Sequence, residues 1–199
     1  MNRKIAKTKD LLSKVAIVLV VAIVLVRPRV AENVGSAARI CYNMGIENLI
    51  LVRDSLPERE PMAKLATHNA AHIIDSLQCF PTLEQAIADY NIVIGTTARR
   101  GRHRFVHQDP RETVEKLLPL LPLNKAAIIF GPEDTGLSND ELKLCQMASA
   151  IPTDDFSSLN LAQAVAIHCY ELYQGVVHQH KDMAPAPQLA TSFELESMY

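Results

Sequence analysis

The feature that most constrains this chain is a run of twelve apolar residues, Val15 to Val26, that ends abruptly in Arg27-Pro-Arg-Val-Ala-Glu-Asn-Val-Gly-Ser-Ala-Ala-Arg39. An uncharged, β-branched run bounded by a polar turn reads as a strand buried on both faces. Strands of that kind belong to parallel sheets covered by helices. The run is itself a duplication, because Val15–Val20 and Val21–Val26 are the same hexamer, Val-Ala-Ile-Val-Leu-Val. A buried strand needs only about six residues, so one copy is surplus. The copy adjoining Arg27 is expected to form the strand, since it delivers the polar segment to the sheet edge. Met1–Lys14 ahead of the run is basic and imitates a secretory signal. No small-residue cleavage site follows, the run is shorter than the roughly 20 residues that span a bilayer, and cleavage would remove the strand. The signal reading is therefore rejected.

Downstream, short apolar strands alternate with helical patterns. Strands are expected at Val21–Val26, Asn48–Val52, Ile92–Gly95, Ala126–Phe130 and Ala148–Ile151, with a weaker one near Ile73–Ile74. Helices are expected over Ala37–Asn43, Met62–Ala71, Thr113–Leu121 and Leu161–Val177. Two more should start at the capping-box patterns Thr82-Leu-Glu-Gln85 and Ser138-Asn-Asp-Glu141. The alternation predicts an α/β domain, a mainly parallel sheet with helices on both faces. With 199 residues, 48% of them hydrophobic and 21% charged, one folded domain is expected. Its bounds are 15–180, between a basic tail over 1–14 and a Pro-containing tail over 181–199.

A polar amide and a guanidinium at the carboxyl edge of such a sheet suit an anion, or a hydroxyl beside one, because open α/β sheets place their chemistry there. Asn33, Gly35 and Arg39 stand at Asn-x-Gly-x-x-x-Arg spacing. The same residues also suit an ordinary helix start, with Asn33 as N-cap and Arg39 on a solvated face.

Net charge is −2, so the chain is no basic RNA-coating protein. The charge is uneven, however. Five arginines (Arg99, Arg100, Arg102, Arg104 and Arg111) with His103 and His107 face a single acid, Asp109. Such a segment can neutralise phosphates, or simply be a solvated loop. The cysteines Cys41, Cys79, Cys145 and Cys169 are widely spaced with no Cys-x-x-Cys pair, which fits core residues in a reducing cytoplasm. His68/His72 and His103/His107 have helical spacing, but no zincin glutamate or nearby cysteine accompanies them, so no metal site is expected. His168 reads as a satisfied helix residue. No Gly-x-Gly-x-x-Gly follows a strand, which disfavours a dinucleotide site.

Two later segments repeat the strand, turn and helix of the first. They are Ile128-Ile-Phe-Gly-Pro-Glu-Asp-Thr-Gly-Leu-Ser-Asn-Asp-Glu-Leu142 and Ile151-Pro-Thr-Asp-Asp-Phe-Ser-Ser-Leu-Asn-Leu-Ala-Gln-Ala-Val165. In order and spacing the three segments resemble the motifs of the SpoU branch of the SPOUT RNA methyltransferases, over roughly residues 15 to 175. Ile-Pro-Thr at 151–153 and Cys-Tyr-Glu-Leu at 169–172 most resemble the tRNA (cytidine/uridine 2′-O)-methyltransferases of the anticodon loop.

That resemblance implies a SPOUT fold with a C-terminal deep trefoil knot, a homodimer, and transfer of a methyl group from S-adenosyl-L-methionine to a ribose 2′-hydroxyl of tRNA. A position-32-type target is implied, with rRNA left open. The donor is held by three loops, here Thr96, Thr97 and Ala98, then Phe130, Gly131, Glu133 and Gly136, then Ile151, Ser158 and Leu159. Ile151 and Leu159 flank the adenine. Glycine suits such loops, although Gly131 and Gly136 also suit plain turns. Arg39 is the catalytic residue implied, as an electrostatic clamp on the hydroxyl and a phosphate. Asn33 orients Arg39 or the ribose, Glu133 holds Arg39 or accepts a hydrogen bond near the site, and Ser158 and Asn160 complete the polar cluster, or cap the last helix. Arg27, Arg99, Arg100, Arg102 and Arg104 are the expected RNA contacts. No membrane partner is expected. Members of the branch carry a longer C-terminal extension, so recognition here is expected to rest on the Arg99–Arg111 segment and the dimer surface. A non-catalytic RNA-binding module of the same fold is the alternative.

Overall fold

The computed structural model describes residues 20–98, 108–178, 189–191, 193–194 and 197. The basic tail, most of the first hexamer copy and Arg99, Arg100, Arg102 and Arg104 lie outside the described residues. Among the described residues six strands form one sheet: β1 (Val21–Val26), β2 (Asn48–Val52), β3 (Gln78–Phe80), β4 (Ile92–Thr96), β5 (Ala126–Phe130) and β6 (Met147–Ser149). Their spatial order is β3-β2-β1-β5-β4-β6 and every pairing is parallel. The helices are α1 (Ala31–Asn43), α2 (Arg59–Ala66), α3 (Ala71–Asp75), α4 (Leu83–Ile87), α5 (Pro110–Leu117), α6 (Asn139–Lys143) and α7 (Leu161–His178).

The second hexamer copy is the central strand, and all six of its residues are buried. It alternates between two cores. Val21, Ile23 and Leu25 face the core built by α1, α2, α3, α5 and α7, while Ala22, Val24 and Val26 face the one built by α4 with Leu137 and Cys145. A strand with no polar position is stable only between two apolar layers, and both layers are present.

Several expectations are corrected. Ile73 and Ile74 lie in α3, and the third strand is Gln78–Phe80, five residues further on from Ile73. Both isoleucines are buried under the first core, so tertiary burial outweighs their β-branched preference. The last strand ends at Ser149, not Ile151. Helix α1 opens at Ala31 after Val30, with no side-chain cap, which puts Asn33 inside the first turn. Helix α5 starts earlier than expected, at Pro110, because Asp109 and Glu112 form a reciprocal capping box. The box expected at Ser138–Glu141 is present, whereas at Thr82 the hydroxyl accepts from the Gln85 amide.

Helix α7 packs on α1 and α5 and buries Val165, Cys169 and Leu172. Tyr173 and Tyr170 on the same helix are 42% and 48% exposed. The described part of the C-terminal tail does not cover them. It is held at the amino ends of β4 and β5, where the Leu189 N–H donates to Asn124 Oδ1 at 2.7 Å and Asn91 Nδ2 donates to the Leu189 carbonyl at 2.5 Å. Among the described residues no helix is long and apolar enough to cross a membrane.

Candidate active site

All the polar turns of interest leave carboxyl ends of parallel strands, so the topology gathers them on one edge of the sheet. The loops after β4, β5 and β6 enclose a cleft of about 280 Å³. Its lining includes Thr96, Thr97, Ala98, Phe130, Gly131, Glu133, Gly136, Ile151, Ser158 and Leu159, every residue the sequence suggested for the donor. Thr96 is fixed by its hydroxyl, which donates to the Ile129 carbonyl at 2.9 Å. The Thr97 amide donates to the Ser149 carbonyl at 3.0 Å, extending the β4–β6 ladder to the cleft wall.

The two loop glycines have different reasons. A Cβ at Gly131 would lie 2.2 Å from the Gly136 carbonyl carbon and the Leu137 nitrogen, so the loop closes on itself only through glycine. Gly136 has φ +63°, and its missing Cβ points into open space. That leaves a stretch of backbone over which a ligand can approach.

Beside the cleft, the loop after β1 is drawn onto the loop after β5. Glu133 Oε2 accepts from the Arg29 N–H at 2.9 Å, and Oε1 accepts from Asn33 Nδ2 at 2.8 Å and the Val30 N–H at 3.4 Å. An ionised carboxylate only accepts, so the Asn33 amide must turn its Nδ2 to Glu133 and its Oδ1 away. That Oδ1 accepts from Asn160 Nδ2 at 3.1 Å. Asn160 in turn caps α7: its Oδ1 accepts from the Ala162 N–H at 2.9 Å and the Gln163 N–H at 3.4 Å. Site and cap therefore coexist in one amide. Burial works to raise the Glu133 pKa, but the hydrogen bonds from Arg29, Asn33 and Val30 outweigh it and hold the carboxyl below its usual range. Glu133 is thus a charged anchor and a weak base.

Two ion pairs brace the same junction. Arg27 Nη2 meets Glu141 Oε1 at 2.6 Å, and Arg29 Nη2 meets Asp134 Oδ2 at 2.7 Å. Arg27 adopts φ 46°, a left-handed conformation that costs a non-glycine residue free energy. Its guanidinium, expected to reach RNA, is therefore turned back on the fold by Glu141.

Arg39 is exposed on α1 and has no ion pair or hydrogen bond to the described residues. Six helical residues separate it from Asn33, roughly 9 Å along the axis and about 120° around it. Neither Asn33 nor Glu133 is shown holding it. The charge cluster and Arg39 form two separate parts of this edge.

The cleft has a polar floor, in which His168 is the satisfied helix residue expected from the sequence. His168 and Ser149 both line it and are 2% and 0% exposed. His168 Nδ1 lies 2.9 Å from the Ala164 carbonyl, which fixes the proton there, so Nε2 accepts from Ser149 Oγ at 3.0 Å. The ring meets Phe130 edge-on at a centroid distance of 5.3 Å. Burial pushes the imidazole pKa down to about 4, with the Ala164 carbonyl opposing. Among the described residues no group of histidines, cysteines and acids is placed to hold a metal ion.

Comparison with known proteins places this architecture. Residues 20–170 match the model of the SpoU rRNA methylase family. An uncharacterised tRNA/rRNA methyltransferase, LasT of Escherichia coli, is 38% identical over 174 residues, spanning 84% of this chain and 74% of LasT. The tRNA (cytidine/uridine/adenosine-2′-O-)-methyltransferase TrmJ of Pseudomonas aeruginosa is 39% identical over 76% of this chain and 60% of its own length, so the chain spans less than two thirds of that relative. The crystal structure of TrmJ from Z. mobilis superposes with a TM-score of 0.76 at 36% identity, covering 89% of this chain and 75% of that one. With its six parallel strands, its three loop motifs and these relatives, the chain belongs to the SpoU rRNA methylase family and is an RNA methyltransferase.

Proposed function

We propose that the protein transfers a methyl group from S-adenosyl-L-methionine to a ribose 2′-hydroxyl of tRNA, in the anticodon loop at a position-32-type nucleotide. The observation that carries this reading is the convergence of ten suggested donor residues, from loops distant in sequence, on one cleft beside the Glu133–Asn33–Asn160 chain. The cleft fits the donor in kind. Its volume of about 280 Å³ lies at the lower edge of the roughly 300–1,000 Å³ usual for small-molecule sites. Ile151, Leu159 and Phe130 offer apolar surface for a purine, and the open side of Gly136 offers bare backbone.

Bound there, the sulfonium supplies an activated methyl group. The ribose hydroxyl would accept that methyl and release its proton to water, with the thioether as the leaving group. The chain's own residues position and stabilise. Glu133 is already engaged by three N–H donors and is a weak base, so it holds the β1 loop and Asn33 in place. The Arg39 guanidinium offers only hydrogen-bond donors, so it serves as a fixed positive group for the developing alkoxide and a neighbouring phosphate. Its lack of partners among the described residues leaves the guanidinium available to RNA. Arg99, Arg100, Arg102 and Arg104 are proposed to add phosphate contacts, and Arg27 does so only on leaving Glu141.

Family membership supports a deep trefoil knot in the C-terminal part and a homodimer. The exposed Tyr170 and Tyr173 on α7 supply an aromatic surface for the second subunit. The four free cysteines suit a reducing cytoplasm. Arg39→Ala tests the assignment. Donor binding, read by calorimetry, should stay within about twofold, while methyl transfer to bulk tRNA falls by roughly a hundredfold or more, the scale of a lost transition-state contact. Near-normal turnover would remove Arg39 from the mechanism.

A further inference from the structure

The loop between β6 and α7 carries an aromatic ring that the fold does not use. Phe156 is 80% exposed, the most exposed large hydrophobic side chain among the described residues. Its chain neighbours Ser157, Ser158 and Leu159 line the cleft, as does Ile151 on the other side of the same loop, so the ring stands at the cleft rim. Folding gains almost nothing from a phenylalanine left in water, and Phe156 has no neighbouring apolar residue between Asp154 and Ser158 that would extend it into a patch. A lone ring amid polar residues is no docking face for an apolar protein partner, which needs a contiguous surface.

What such a ring can hold is one flat, uncharged group with polar edges. Asp154 and Asp155 immediately precede it and are both exposed. Two carboxylates beside the ring repel a phosphate backbone, so the part of a nucleic acid that can approach this loop is a base turned out of its strand. Recognition of single-stranded RNA commonly rests on unstacked bases laid against aromatic side chains.

We propose that Phe156 is a substrate-positioning residue that stacks on the base of the nucleotide being methylated and so presents its ribose to the cleft. This rests on the reading of the cleft as the site of methyl transfer to tRNA. The loop ties the ring to the donor site through a few residues of chain, so a base on Phe156 brings its own sugar toward Ser158 and Leu159. The acids at 154 and 155 turn the phosphates away from this loop.

The test uses the full chain, bulk tRNA and S-adenosyl-L-methionine. Phe156→Ala should raise the KM for tRNA on the order of ten- to a hundredfold, the usual loss of one base–aromatic stack. The KM for the methyl donor should stay within about twofold, which also reports an intact fold. Phe156→Trp should restore the tRNA KM. Because the chain contains no tryptophan, that variant also carries a single reporter whose emission should be quenched when tRNA is added. A Phe156→Ala enzyme with an unchanged tRNA KM, or a Phe156→Trp emission indifferent to tRNA, would overturn the stacking role while wild-type turnover stood. Wild-type protein that methylates no tRNA would overturn both this inference and the reading beneath it.

Discussion

Acid should weaken this protein through His168, and the size of the effect follows from its surroundings. The imidazole is 2% exposed, gives its Nδ1 proton to the Ala164 carbonyl and accepts the Ser149 hydroxyl on Nε2. Charging it would place an uncompensated cation against Phe130, so its pKa falls from 6.5 to about 4. The unfolded chain, with an ordinary histidine, takes up a proton first as pH drops. Stability is therefore full above about pH 6.5 and is lost between there and pH 4, below which both states are protonated. A shift of this size corresponds to on the order of 3 kcal/mol. Glu133 and Glu141 act in a lower window. Their folded pKa values are depressed, so their contribution is present above about 4.5 and lost below it. Urea unfolding from pH 7 to 4.5 isolates the histidine. His168→Gln, which keeps an amide within reach of Ser149 and does not titrate, should flatten the profile in this range. An equally steep fall in His168→Gln would show that the acid sensitivity lies elsewhere.

Three further outcomes are expected. Glu133→Ala leaves the Arg29 and Val30 amides and the Asn33 side chain without their acceptor, and should cost about 1–3 kcal/mol in urea unfolding together with most methyl transfer; unchanged stability would mean that water replaces the carboxylate. Gly131→Ala drives a methyl into the Gly136–Leu137 backbone, so donor affinity measured by calorimetry should drop at least tenfold, and retained affinity would show that the loop can shift freely. Replacing Arg99, Arg100, Arg102 and Arg104 with Ala should weaken tRNA binding and flatten its salt dependence, leaving donor affinity alone; an unaltered slope in filter binding would place the RNA elsewhere.

How far the sequence announced this structure depended on the kind of signal. Strands β1, β2 and β5 have the bounds expected from composition, because an all-apolar run between polar turns has few alternatives. Strand β3 escaped notice because Gln78-Cys79-Phe80 is three residues long, polar at its start and on the sheet edge. Ile73 and Ile74 misled for a related reason. Two adjacent β-branched residues look like a strand until the rest of a helix fixes their face. The Asp109 cap was overlooked in a segment read only for its arginines.

At the site, Asn33, Glu133 and Asn160 were each visible in a motif, but their connection was not. Glu133 and Asn33 are 100 residues apart and Asn160 and Asn33 are 127 apart. Nothing local dictates that one amide should bridge a carboxylate and a helix cap. Arg39 shows the converse. Sequence spacing grouped it with Asn33, whereas helical geometry turns it to another side. His168 was within reach of the pattern: with Leu161, Val165, Cys169 and Leu172 it follows the buried stripe of α7, where a polar residue must find partners.

The most direct measurement of the central claim is methyl transfer itself. The protein is incubated with methyl-labelled S-adenosyl-L-methionine and bulk tRNA, the RNA is digested to nucleosides, and the labelled product is identified. The account predicts a 2′-O-methylated nucleoside from the anticodon loop, abolished by Arg39→Ala. A label on a base, or no label in tRNA alongside strong donor binding, would contradict it.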